Sequence, residues 1–133
     1  MKCGRIVCLF LVLCLCLSAC GGRVNGVNLV VGNSVRFQEG EIRDAMELVL
    51  EQFRSGFKGC KLTEVVYDEA LSDRSADGWA EQYGADAAMV LTSTFEVGPQ
   101  SDGSLMPNST YTNWQWILVW DADNWILKTW GYG

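Results

Sequence analysis

Asn113 to Gly133 reads NWQWILVWDADNWILKTWGYG and carries five of the chain's six tryptophans. No other stretch restricts the fold so tightly. Two apolar runs flank Asp121-Ala122-Asp123-Asn124, a pattern that predicts a β-hairpin turning at those residues. Side chains alternate between the two faces of a strand. Trp114, Trp116, Leu118 and Trp120 therefore share one face of the first strand, and Asn113, Gln115, Ile117 and Val119 take the other. Pairing across the turn sets Trp120 opposite Trp125 and Leu118 opposite Leu127. One face of the hairpin then gathers Trp114, Trp116, Trp120 and Trp125 with two leucines. Such a face has to be buried.

Its cover is written earlier in the chain. Ile42, Ala45, Met46, Val49, Leu50, Phe53 and Phe57 recur at three- and four-residue spacing, the apolar stripe of a helix lying on a core. Glu41, Arg43, Asp44, Glu47, Glu51 and Arg54 occupy the solvent face. Arg43 can pair with Glu39 or Glu47, and Gly56 or Gly59 supplies the stop. Cys60 to Glu69 is strand-like, with Cys60, Leu62 and Val66 expected on one face and Lys61, Thr63, Val65 and Tyr67 on the other. A short helix is predicted over Asp73 to Tyr83, with Ser72 as N-cap, Gly84 as C-cap, and Ala76, Trp79, Ala80 and Tyr83 on one face. ADAAMVLTSTFEV is a long strand, and GPQSDGSLMPNST a long loop. The sum is an α+β domain: one long and one short helix packed on a four-stranded antiparallel sheet.

Strict alternation sends Trp130 and Tyr132 to the face opposite Trp116, and leaves Trp120 at the hairpin end where burial is least complete. An aromatic patch on a polar surface marks a binding site, so Trp120, Trp130 and Tyr132 are the candidate ligand surface. The competing reading folds the C-terminal segment back on the outer face of the sheet, where it shields its own indole.

The first residues, MKCGRIVCLFLVLCLCLSAC, are of another kind. Lys2 and Arg5 precede an apolar run from Ile6 to Leu17. Such a run is too short to span a bilayer, which takes roughly 20 residues, and has the make-up of an export signal. Leu17-Ser18-Ala19-Cys20 followed by Gly21-Gly22 resembles the lipobox of bacterial lipoprotein precursors. The resemblance implies cleavage before Cys20 and attachment of lipid to its thiol; the alternative is an ordinary secretory signal. The expected division is residues 1–19 as signal peptide, 20–36 as lipidated cysteine and glycine-rich tether with NLVV at hand to touch the domain, and 37–133 as the single domain.

Processing changes both the cysteine count and the charge. Cys3, Cys8, Cys14 and Cys16 are removed and Cys20 takes the lipid, so Cys60 remains alone: a buried apolar residue, or one half of an intermolecular disulfide. Ten basic residues less Lys2 and Arg5 leave eight against sixteen acidic, so the processed chain carries −8 rather than −6. That balance and the lack of an evident basic patch argue against nucleic acid as partner. It also argues against headgroup attraction, leaving the membrane to be reached through acyl chains.

Histidine is absent from the sequence, which removes the commonest general base and the Ser-His and Cys-His pairs. No phosphate-binding glycine loop precedes a helix. Asp121-x-Asp123-Asn124 lacks the glycine and distal glutamate of a calcium loop and reads as a turn. Asn108-Ser109-Thr110 fits a glycosylation sequon but reads as unmodified loop in a bacterial lipoprotein. Glu39/Glu41 and Asp68/Glu69 offer paired carboxylates, with helix-end or solvated-face charge as the plainer reading. No catalytic residue, metal site or cofactor is expected.

The order of elements resembles cystatin-like and nuclear-transport-factor-like α+β rolls. FKGCKLTEVVYDE, WAEQYGADAAMVLTSTFEV and DGSLMPNSTYTNWQWILV with NWILKTWGYG are similar to stretches of small uncharacterised lipoproteins of Firmicutes. The likeness implies fold and location and brings no active site. Enzymes on such rolls place a His or Asp in the cone, and here Glu64 is the one acidic candidate for that position. The function expected is a lipid-anchored extracytoplasmic binding or interaction module, non-enzymatic, with a protein, peptide or glycan partner. The alternatives are a small carboxylate-based hydrolase or isomerase in the pocket of the roll, and a carbohydrate-binding surface.

Overall fold

Strand follows strand across the sheet in chain order, and one long helix lies over the apolar face that results. The computed structural model describes residues 21–100 and 103–132; the expected signal segment and Cys20 lie outside them. Strand β1 (Asn28–Val30) is followed by helix α1 (Glu39–Gly56), β2 (Cys60–Val66), α2 (Glu69–Asp73), α3 (Ala76–Tyr83), β3 (Ala87–Val97), β4 (Thr110–Asp121) and β5 (Asn124–Tyr132). The class is α+β. The sheet, however, has five strands in the order β1-β2-β3-β4-β5, and β1 runs parallel to β2. The expected four-stranded antiparallel sheet is therefore a five-stranded mixed one.

The extra strand lies in the segment expected to be a tether. Asn28, Leu29 and Val30 pair with Glu64, Val65 and Val66, and the Tyr67 amide donates to the Val30 carbonyl at 2.8 Å. Further back, the Gly22 amide donates to Arg54 and the Arg23 amide to Cys60. The chain is held against the domain from Gly21 onward.

Helix α1 carries the apolar stripe expected of it, with Ile42, Ala45, Met46, Val49, Leu50 and Phe53 buried. Its first turn has no side-chain cap; Glu39 and Glu41 stand there instead, where carboxylates meet the positive end of the helix dipole. Arg43 pairs with Glu39 at 2.9 Å. The stripe packs on Cys60, Leu62, Val65, Met89, Leu91, Phe95, Trp116 and Leu118. Trp116 is fully buried, and its indole N–H donates to Ser93 Oγ at 2.8 Å. The space between α1 and the sheet is filled with side chains.

Two short helices cover the other face. Where one helix over Asp73 to Tyr83 was expected, α2 and α3 stand apart. Asp68 caps α2 by accepting from the Leu71 amide. Ser72 is no N-cap: it is buried within α2, and its hydroxyl accepts the Val90 amide of β3. Ala76, Trp79, Ala80 and Tyr83 of α3 pack on Ala88 and Val119, and Gly84 ends the helix in the left-handed conformation.

Three β-bulges set which side chains face inward. Thr63 is the extra residue of β2, since Leu62 pairs with Phe95 and Glu64 with Thr94. In β4 two residues, Thr112 and Asn113, stand against Thr94 alone, and Asn113 takes a φ of 56°. In β5 the extra residue is Lys128. Each bulge shifts alternation by one and turns the following residues to the other face. Val65 and Tyr67 consequently face inward and are buried, while Glu64 and Val66 face outward. The faces expected for the second half of β2 are reversed.

Candidate functional site

The turn at Ala122-Asp123 takes φ of 50° and 66°, the left-handed pair of a two-residue hairpin whose twist matches its strands. It sets Trp120 opposite Trp125 and Leu118 opposite Leu127, as expected. Beyond Leu127 the Lys128 bulge intervenes. Trp130 then pairs with Trp116 and Tyr132 with Trp114. Both C-terminal aromatics therefore lie on the face that α1 covers, and not on the outer one. Their ring centroids are 5.6 Å from Trp116 and 6.1 Å from Trp114 respectively.

Since β5 is the edge strand, this cover is incomplete. Trp130 is 38% exposed and Tyr132 65%. Trp120 lies at the far end of the hairpin, half-buried with its ring 5.2 Å from that of Trp125. The three aromatics expected to form one surface are thus divided, with Trp130 and Tyr132 together and Trp120 apart.

Trp130 borders a cleft of about 390 Å³. The last turns of α1 supply Gln52, Gly56 and Phe57, the sheet supplies Trp114 and Trp130, and Gly103 to Leu105 close the third side. Phe57 meets Trp114 edge-on at 6.1 Å. The cleft is rich in π-faces and holds a few polar groups, the Gln52 amide and Ser104 hydroxyl among them. The Nε1 atoms of Trp114 and Trp125 are both buried without a hydrogen-bond partner among the described residues, so neither is presented to a molecule in the cleft. Its size falls within the range of small-molecule sites, roughly 300–1,000 Å³. A depression on the other side of the edge strand, lined by Trp79, Gln115 and Thr129 and also by Trp130 and Tyr132, is smaller, about 150 Å³, and one beside Gly21, Arg23 and Lys58 is larger, about 470 Å³.

Glu64 and Glu69 both lie outside the core between α1 and the sheet. Glu64 faces the outer side of the sheet, where the Asn28 side chain approaches it at 3.4 Å. Glu69 is a tie point: one oxygen accepts from Ser34 Oγ, the Arg36 amide and Tyr67 Oη, and the other from the Val35 amide. Those donors, the Ser34 hydroxyl first and the Val35 amide next, pull its pKa down to about 2. Burial pushes Tyr67 up to about 12. Arg36 adds ion pairs to Asp73 and Asp77 at 2.8 and 3.3 Å. The arrangement clips the segment before α1 to α2 and α3. Sequence reasoning saw only a pair of acids here. Ser34 two and three residues before amides it caps was the available signal for the turn.

Cys60 is 1% exposed, and burial raises its pKa. That is the environment of a packing residue and not of an accessible thiol. Basic residues, expected to form no patch, come together in part at one end: Gly21, Arg23 and Lys58 line one depression, Arg23 sits beside Lys61 on β2, and Gly22 bonds the Arg54 carbonyl. Among the described residues no helix is long and apolar enough to cross a membrane. No protein-family model matches the chain, and comparison with curated proteins and with solved structures finds no match.

Proposed function

We propose that this chain is a lipid-anchored extracytoplasmic binding module, non-enzymatic, whose ligand is a glycan held in the aromatic cleft at the end of α1. The observation that carries this reading is the half-exposed Trp130 standing with Trp114 and Phe57 along one cleft, with Gln52 and Ser104 among its other lining residues. A sugar ring presents an apolar C–H face that stacks on an indole and hydroxyls that pair with a few polar groups at its edge. Gln52 and Ser104 would orient those hydroxyls.

Location rests on the lipobox at Leu17 to Cys20, and the long helix crossing an antiparallel meander supports kinship with cystatin-like rolls. The net charge keeps nucleic acid an unfavoured partner. The carboxylate-enzyme alternative has lost the residue it depended on, since Glu64 faces outward. Calorimetric titration of soluble cell-wall glycan fragments into the protein, with an unrelated extended peptide as control, tests the proposal. Saturable heat with glycan alone is expected. Saturation by the peptide and not the glycan would turn the cleft into a peptide site and overturn the ligand assignment.

A further inference from the structure

We infer that the end of the domain where Cys20 enters is a membrane-docking face, which seats the domain on anionic lipid headgroups in one orientation. The inference rests on the reading of Cys20 as the lipid-bearing residue. Three features of the structure lead to it.

The first is the lack of slack after the anchor. Gly21 and Gly22 press on backbone at the end of α1. A Cβ on Gly21 would collide with the Arg54 carbonyl oxygen, and one on Gly22 with that of Phe53. Backbone bonds then follow at once: Gly22 N–H to Arg54 O at 3.0 Å, Arg23 N–H to Cys60 O at 2.9 Å, and Leu62 N–H to Arg23 O at 2.8 Å. Glycine is required here for close approach. A lipid on Cys20 lies one peptide bond from residues fixed to the domain, so the domain does not swing on a tether.

The second is the charge around that point. Arg23 and Lys58 line the depression beside Gly21, Lys61 of β2 pairs with Arg23 along the backbone and the Arg54 carbonyl holds Gly22, so that half of the basic residues left after processing belong to this end. Among the described residues none of these four forms an ion pair; the salt bridges belong to Arg36 and Arg43. Among the described residues Glu51, three before Arg54, Glu64, three after Lys61, and Glu96, across the ladder from Lys61, are the acids nearest in position. Four basic residues against three acids make this end far less acidic than the chain as a whole.

The third is the opposite pole. β3 spans Ala87 to Val97, with Val97 beside Cys60 and Ala87 beside Trp120. At roughly 3.3 Å per residue, its length puts the hairpin turn with Asp121 and Asp123, and Asp86 before β3, about 30 Å or more from the anchor. The first turn of α1 with Glu39 and Glu41 lies at that far end too, since Phe37 packs on Trp125. Anionic headgroups attract nearby Lys and Arg and repel carboxylates. They therefore favour the basic end down and the acidic end away. The aromatic cleft, built on the last turns of α1, then opens close to the bilayer.

The test uses the full chain, exported, acylated and reconstituted in phosphatidylcholine vesicles with and without phosphatidylglycerol. A fluorophore is placed on Gln100→Cys or Asp123→Cys, and energy transfer to a headgroup-labelled lipid is read. Transfer several-fold stronger from position 100 than from 123 is expected with phosphatidylglycerol, and Arg23→Glu/Lys58→Glu should erase most of the contrast. Equal transfer from both positions overturns the docking face. A contrast that survives charge reversal and the absence of phosphatidylglycerol assigns orientation to the glycine contacts alone and overturns the headgroup contact. Intact mass separates the two layers of the argument. A chain without acyl groups on Cys20 overturns the anchor reading, whereas an acylated chain without contrast overturns only the docking face.

Discussion

Trp130 lies directly across the β4–β5 ladder from Trp116, their ring centroids 5.6 Å apart, because Lys128 is the extra residue of a bulge between them and the turn. Trp116 is the closed floor of the aromatic face and Trp130 its open edge. The Lys128 ammonium, 5.4 Å from the Tyr83 ring centroid, ties the bulge to α3 by a cation–π contact. Deleting Lys128 should restore simple alternation and turn Trp130 and Tyr132 outward. A loss of about 2 kcal/mol is expected from the apolar area uncovered. Urea melts together with acrylamide quenching of tryptophan emission check both parts; unchanged quenching would mean the bulge does not set the face.

Trp116 should behave as a core residue. Trp116→Ala is expected to cost roughly 3–5 kcal/mol, a large share of a small domain's stability. Ser93→Ala removes the acceptor of the buried indole N–H and should cost about 1–3 kcal/mol. Both are measured on a soluble form starting at Gly21. A start near Asn33 would remove β1 and confuse the comparison.

The tie around Glu69 gives a pH signature with two limbs. The Glu69 pKa is lowered from 4.5 to about 2, so its stabilisation is fully present above 4.5 and is lost as pH falls through about 2. Tyr67 is raised from 10 to about 12, so its contribution is full below 10 and is lost as pH rises through about 12. Glu69→Gln should flatten the acid limb in thermal melts between pH 4.5 and 2. An acid limb of unchanged steepness would place the responsible carboxylate elsewhere.

Cys20→Ala should block incorporation of a palmitate analogue and leave the precursor uncleaved. Labelling equal to that of the wild type would remove the lipobox reading.

The α1 stripe was legible because it repeats one period over many residues, so that burial and periodicity agree from Ile42 to Phe53. In β4 alternation set the inward face, although Ile117 and Val119 of the other face are buried as well and Trp114 and Trp120 only half-buried. The hairpin turn was legible for a local reason: Asp and Asn are favoured where φ turns positive. Bulges were not. Thr63 and Lys128 differ in no chemical way from residues in register, and what places them is packing across the sheet. One unseen bulge was enough to reverse Trp130 and Tyr132. β1 was hidden because its three residues gain their pairing from β2 and show no period of their own. The Ser34–Glu69 tie joins positions thirty-five apart, which no local pattern reports.

The aromatic cleft is the centre of the functional account, and Tyr132 and Trp130 separate its ligand role from its structural one. Tyr132, 65% exposed, should be removable to Ala within about 0.5 kcal/mol of wild-type stability. Trp130→Ala gives up its contact with Trp116 and should lose about 1–2 kcal/mol while leaving a folded domain. The most direct measurement is therefore a glycan-fragment titration of wild-type, Tyr132→Ala and Trp130→Ala proteins at a temperature where all three are folded. The account predicts saturable binding by the wild type, little changed by Tyr132→Ala, which lies outside the cleft, and reduced about tenfold or more by Trp130→Ala, the equivalent of about 1.4 kcal/mol. Equal glycan affinity in wild type and Trp130→Ala, or none in the wild type, would contradict it.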